Sequence, residues 1–153
     1  KDALETGGDI LTPENREKYK QLKIMDITQW LKEVVLPRIK VIRPKNRILL
    51  HPTCSCQIMG LTPVLLDIAR KCAREVILPD NWGCCGASGD RGFIFPELSD
   101  SATRDERDEI GHESFDGCYS LARTCEIAMQ DHIEQPYESI VYLVDETIQD
   151  QGT

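Results

Sequence analysis

Seven cysteines are spread unevenly over 153 residues. Six fall in three short stretches: HPTCSC carries Cys54 and Cys56, GCCG carries Cys84 and Cys85, and GCYSLARTC carries Cys118 and Cys125. Adjacent cysteines cannot bridge each other without distorting the peptide between them, and neighbours on extended backbone point to opposite faces. Glycines at 83, 86 and 89 flank the pair and allow positive φ angles, which can turn both thiols inward. Two thiolates on a glycine loop suit a polynuclear metal centre. A secreted disulfide framework would use an even number of cysteines spread through loops, so the clustering favours metal or redox chemistry in a reducing, cytoplasmic setting.

The elements that must position these thiols follow from apolar spacing. NRILLHP (46–52), EVILP (75–79) and FDGCYSL (115–121) read as strands. Helices are expected over 61–73, with Thr62 as cap and Pro63 leading, and over 95–110, whose RDERDE end reads as solvated. Two more are expected over 123–133 and 137–148. Upstream, Thr12 and Asp26 are expected to cap helices, the second ending near Pro37. Strand alternating with helix predicts an α/β fold: a Rossmann-like three-layer unit with a parallel sheet of three or more strands and flanking helices. Residues 1–45 read as an N-terminal arm with helices and 46–153 as the cysteine-rich α/β domain. Cys54, Cys84–Cys85 and Cys125 each follow a strand. In an open α/β sheet the carboxyl ends of the strands share one edge, so the clusters should converge there. Cys125 lies near a helix start, whose dipole favours a thiolate.

Composition excludes several classes. A net charge of −8 gives no basic face for nucleic acid. No apolar run is long enough to cross a bilayer, so a membrane association would be peripheral, at the inner face. The start at Lys1, without methionine, reads as a piece of a longer protein.

The cysteine pattern resembles the CCG domain of heterodisulfide reductase B subunits and glycolate oxidase iron–sulfur subunits. That motif is a cysteine, a Cys-Cys-Gly about thirty residues on, and a Cys-x-x-Cys some thirty-five residues later, clustered for iron–sulfur ligation. HPTCSCQIMGL, GCCGASGDRGFIFPELSDSA, ARTCEIAM and PYESIVYLVDE are most similar to the C-terminal part of bacterial FAD-linked D-lactate dehydrogenases with iron–sulfur domains, over residues 20–149. The resemblance implies Cys54, Cys84, Cys85 and Cys125 as ligands of a 4Fe–4S cluster, with zinc the other metal that four thiolates suit. Ala122 stands where the motif has a fifth cysteine; Cys56 is a stand-in, and Cys118 a further candidate on the third strand. The implied function is electron transfer from FAD and ferredoxin-type clusters, on upstream domains of the parent, toward a quinone or cytochrome. The parent would act on D-lactate, or alternatively on glycolate or D-2-hydroxyglutarate. With neither a flavin motif nor a ferredoxin cysteine run, the chain alone is expected to be inactive. The alternative is a zinc-bound or metal-free docking domain.

Other residues have plainer readings. Cys72 is expected in the helix core. His51 reads as a hydrogen-bonded structural histidine ahead of a metal ligand. Asp90 and Arg91 read equally as a loop-fixing ion pair or as a functional pair beside a cluster.

Overall fold

The computed structural model describes residues 11–148. Residues 1–10 of the arm and 149–153 of the domain lie outside the described residues. Helix α1 (Pro13–Lys20) starts at Thr12, whose side chain accepts the Asn15 N–H. Helix α2 (Ile27–Trp30) begins at Asp26 with a reciprocal capping box to Gln29. It continues as a π-turn (Leu31–Val35) and a 3-10 turn (Leu36–Arg38), ending one residue past Pro37, near where the sequence places its end.

The remaining elements are β1 (Lys45–Leu50), α3 (Cys54–Ile58), α4 (Thr62–Cys72), β2 (Ala73–Ile77), α5 (Arg91–Ile94), α6 (Pro96–Ile110), β3 (Gly117–Ser120), α7 (Arg123–Ile133), β4 (Tyr137–Ser139) and α8 (Ile140–Thr147). The four strands form one parallel sheet in the order β2-β1-β3-β4. The α/β class and parallel sheet are those expected. The fourth strand is an addition: Tyr137–Ser139 pairs with Cys118–Ser120 before the last helix starts, where a single helix was expected over 137–148.

Both faces of the sheet are covered, so apolar residues of its central strands point into two cores. Ile48, Leu50 and Tyr119 point to one layer, with Leu65, Ile68 and Ala69 of α4, Ile140, Leu143 and Val144 of α8, and Leu31 and Leu36. Leu49 and Cys118 point to the other, with Ile110 of α6 and Ala128, Met129 and Ile133 of α7. The alternation Ile48–Leu49–Leu50 divides one strand between two cores. Cys72 is fully buried in the first, as expected.

Three local expectations change. Thr62 does not cap α4; Leu61 holds the cap position without a side-chain bond, and the Thr62 hydroxyl faces the Cys56 sulfur at 4.0 Å. The RDERDE end of α6 is not wholly solvated. Ser99, Thr103, Glu106 and Ile110 form its buried stripe at helical spacing. No ion pair joins Asp90 to Arg91 among the described residues; Asp90 starts the short α5 without a side-chain cap bond.

Candidate metal centre

The order β2-β1-β3-β4 reverses direction between β1 and β3. At such a reversal the connections leave the sheet on opposite sides and open a crevice at the carboxyl ends of the strands. Four thiols meet there. Cys54, Cys84, Cys85 and Cys125 line a cavity of about 280 Å³, together with Thr53, Ser55 and Ala122.

Each thiol is brought in by local chemistry. After β1 the chain turns at Pro52, and the Thr53 hydroxyl accepts the Cys56 N–H at 3.2 Å, which starts α3 and sets Cys54 as its first residue. The loop after β2 carries positive φ at Gly86 (+73°), Ser88 (+45°) and Gly89 (+80°). At Gly86 a side chain is excluded twice over, because an added Cβ would lie 2.6 Å from the Leu98 carbonyl oxygen and the Ser99 Cα. The loop can thus lie flat on the start of α6 and turn Cys84 outward and Cys85 inward; Cys84 is exposed and Cys85 buried. The Gly86 N–H points to the Cys84 sulfur at 3.4 Å. Cys125 is in the first turn of α7, which follows Ala122 at its cap position.

The site is asymmetric. Cys54 and Cys84 are exposed, whereas Cys85 and Cys125 are buried with their sulfurs 2.9 Å apart. A hydrogen bond joins the two buried sulfurs. The hydrogen bond with Cys125 pulls the Cys85 thiol down to about 6 against the cost of desolvation. The same bond, with burial and the other thiols, pushes Cys125 far above the ordinary thiol range. Cys84 is raised: the Gly86 N–H holds it down, but desolvation and the charges of Cys85 and Cys54 outweigh that bond.

The two further candidates are not brought to the cavity. Cys56 is buried on the far side of α3 in the first core, and burial raises its thiol. Cys118 faces Gln135 at 3.8 Å in the second core, pushed up to about 12 by burial. Both are packing thiols here. Ala122 does line the cavity. A larger groove of about 510 Å³ between Arg123, Glu126, Glu138 and Tyr142 holds no thiol.

Sequence reasoning reached His51 but missed its partner. His51 follows β1 and is 1% exposed; its Nδ1 lies 3.0 and 3.2 Å from the two carboxylate oxygens of Glu106, itself 2% exposed. The inward stripe of α6 was the signal that could have singled out Glu106.

Four thiols on one cavity are a donor set for a soft metal. No group of three or more His, Cys, Asp or Glu side chains among the described residues is placed to hold a metal ion as it stands. A tetrahedral ion bonded to sulfur at about 2.3 Å spaces its ligands about 3.8 Å apart, and the Cys85–Cys125 pair is tighter than that. The thiol identities fit a cluster or an ion, and loading requires this pair to separate. Among the described residues, no helix is long and apolar enough to cross a membrane. Compared with protein-family models, curated proteins and solved structures, the chain matches none.

Proposed function

We propose that this chain is the iron–sulfur-binding electron-transfer domain of an FAD-dependent D-2-hydroxyacid dehydrogenase, with D-lactate the leading substrate of the parent enzyme. The observation that carries the reading is the meeting of Cys54, Cys84, Cys85 and Cys125, from three separate strand ends, on one cavity at the reversal of strand order. Four thiolates are the complement of a 4Fe–4S cluster, which would supply one-electron transfer. The chain's own residues supply the holder. Gly86 lets the loop lie against α6, the Gly86 N–H supports the Cys84 sulfur, and the sheet edge brings Cys54 and Cys125 to one cavity. The FAD-linked parent, its upstream domains and a quinone or cytochrome acceptor rest on the resemblance of the GCCGASGDRGFIFPELSDSA stretch.

A second reading has its own observation. Phe93, Ile94, Phe95 and Leu98 follow the cysteine loop and are exposed, as are Ile58 and Met59 after Cys56. Apolar exposure of this kind suits a docking domain that keeps its thiols metal-free or zinc-bound.

Anaerobic reconstitution with iron and sulfide separates the two. The electron-transfer reading expects about four iron and four sulfide per chain, lost in Cys85→Ala and retained in Cys72→Ala. It also expects no oxidation of D-lactate by the chain alone. A wild-type chain that takes up neither iron nor sulfide would leave the docking reading.

A further inference from the structure

The contact between Cys85 and Cys125 is too short for two ligands of one ion and too long for a bond. Their sulfurs are 2.9 Å apart. Thiolates on one tetrahedral ion stand about 3.8 Å apart, and the sulfurs of a disulfide about 2.05 Å. The observed separation lies midway. The pair must open for ligation, and an equal movement inward closes a covalent bond.

Both partners are held where they meet. Behind Cys85, Gly86 packs on the Leu98 carbonyl and Ser99 so closely that a side chain has no room. The Gly92 N–H donates to the Ala87 carbonyl at 2.9 Å and pins the same loop again. Cys125 is anchored by α7, whose Ala128, Met129 and Ile133 share one core with Cys85 and Ala87. A sulfur contact fixed from both sides removes most of the search that a cross-link otherwise needs. The remaining thiols are placed less well. A bond between the neighbours Cys84 and Cys85 distorts the peptide. Cys56 and Cys72 lie in the first core, and Cys118 faces Gln135. The rival pair is Cys54 with Cys84, both exposed on the same cavity.

We propose that Cys85 and Cys125 form a reversible disulfide site, closed by a hydroperoxide that enters the cavity and opened by a dithiol reductant. The cavity of about 280 Å³ reaches both buried sulfurs, and hydrogen peroxide is small enough to enter it. One sulfur attacks the peroxide: an S–O bond forms, the O–O bond breaks, and the departing oxygen leaves as water with the thiol proton. The second sulfur attacks the sulfenic sulfur: the S–S bond forms, the S–O bond breaks, and a second water carries away the second thiol proton. The two thiols lose two electrons together, and one peroxide is reduced to two waters. The product withdraws two of the four thiols from the cavity, so the closed site cannot hold a metal that needs all four. The inference rests on the sulfur contact and does not depend on which metal the thiols take.

The test uses the 153-residue chain, reduced, cleared of metal by a chelator and given one equivalent of hydrogen peroxide under nitrogen. Free thiols are then alkylated and the chain is cut with trypsin. The expected product joins the peptide 75–91 to the peptide 124–153, with fragmentation placing the link at Cys85 and the alkyl group on Cys84. Dithiothreitol should release it. Cys54→Ser, which removes the rival pair, should keep the link, and Cys125→Ser should lose it. Cobalt(II), the metal probe, should show its thiolate absorption with the reduced chain, lose it with the oxidised chain and regain it after reduction. A link between Cys54 and Cys84 with Cys85 and Cys125 alkylated would overturn the proposal. So would sulfinic acid at Cys85 without a link, or an oxidised chain that binds cobalt as the reduced one does. The mapped link in a chain whose reduced form binds no cobalt would support the disulfide and count against the metal reading of the cavity.

Discussion

The sulfurs of Cys85 and Cys125, forty residues apart in sequence, stand 2.9 Å apart in the crevice. The contact joins the glycine loop after β2 to the first turn of α7, and the hydrogen bond across it couples the protonation of the two buried thiols.

In the metal-free chain, alkylation of Cys85 by iodoacetamide should therefore rise through about pH 6, well below the ordinary thiol value of about 8.5. The sign for stability follows. A thiol held below its unfolded value stabilises the fold fully above that value, and the contribution is lost as the pH falls through about 6. Cys125, shifted the other way, keeps its proton across this window. Cys125→Ala should move the Cys85 midpoint up toward the ordinary value. Mass-spectrometric mapping of alkylation against pH checks this; the same midpoint in both chains would separate Cys85 from Cys125.

Gly86→Ala should destabilise the fold by about 2–4 kcal/mol, combining a left-handed φ with overpacking. Its Cβ would meet the Leu98 carbonyl and Ser99 backbone, which have no flexible end to yield. Gly83→Ala should be nearly neutral, because nothing lies within 4 Å of its added Cβ. Urea unfolding of the two variants measures the contrast. Equal losses would mean that the close approach to α6 is not needed.

Ala122→Cys would place a fifth thiol on the cavity that already holds four, since Ala122 is part of its lining. Anaerobic reconstitution should give more iron per chain than the wild type and an altered electron paramagnetic resonance spectrum. Ala87→Cys, also on the lining but inside the glycine loop, is the control for a thiol added without the α7 start behind it. Identical iron and spectra in wild type and Ala122→Cys would count against a ligand position at 122.

The sheet was legible because each of β1, β2 and β3 is a short apolar run between turn residues, and parallel order follows from the helices between them. Strand β4 was hidden. Its three residues run directly into the helical spacing of Ile140, Leu143 and Val144, and only pairing with β3 distinguishes them. Helix α3 was hidden for a different reason: CSCQI has no helical apolar pattern, and the Thr53 cap makes the turn. The meeting of Cys54, Cys84, Cys85 and Cys125 could be read from strand ends alone. The separation of Cys56 and Cys118 from them could not, because it depends on which way α3 and β3 face. The His51–Glu106 pair needed the tertiary fold, since Glu106 sits within a charge run and lies fifty-five residues from its partner.

The short antiparallel bridge between Val41 and Ile148, reinforced by the Ile42 and Arg43 N–H groups on the Thr147 carbonyl, has a mechanical meaning. It ties the segment leading into β1 to the end of α8. A tension applied along the chain through Val41 and Ile148 meets this clasp and must peel it open before the load reaches β1. The thiols lie at the sheet's carboxyl edge, outside that line of force. A domain tethered at both flanks could then be tugged by its neighbours and yield at the clasp while its sulfurs keep their places.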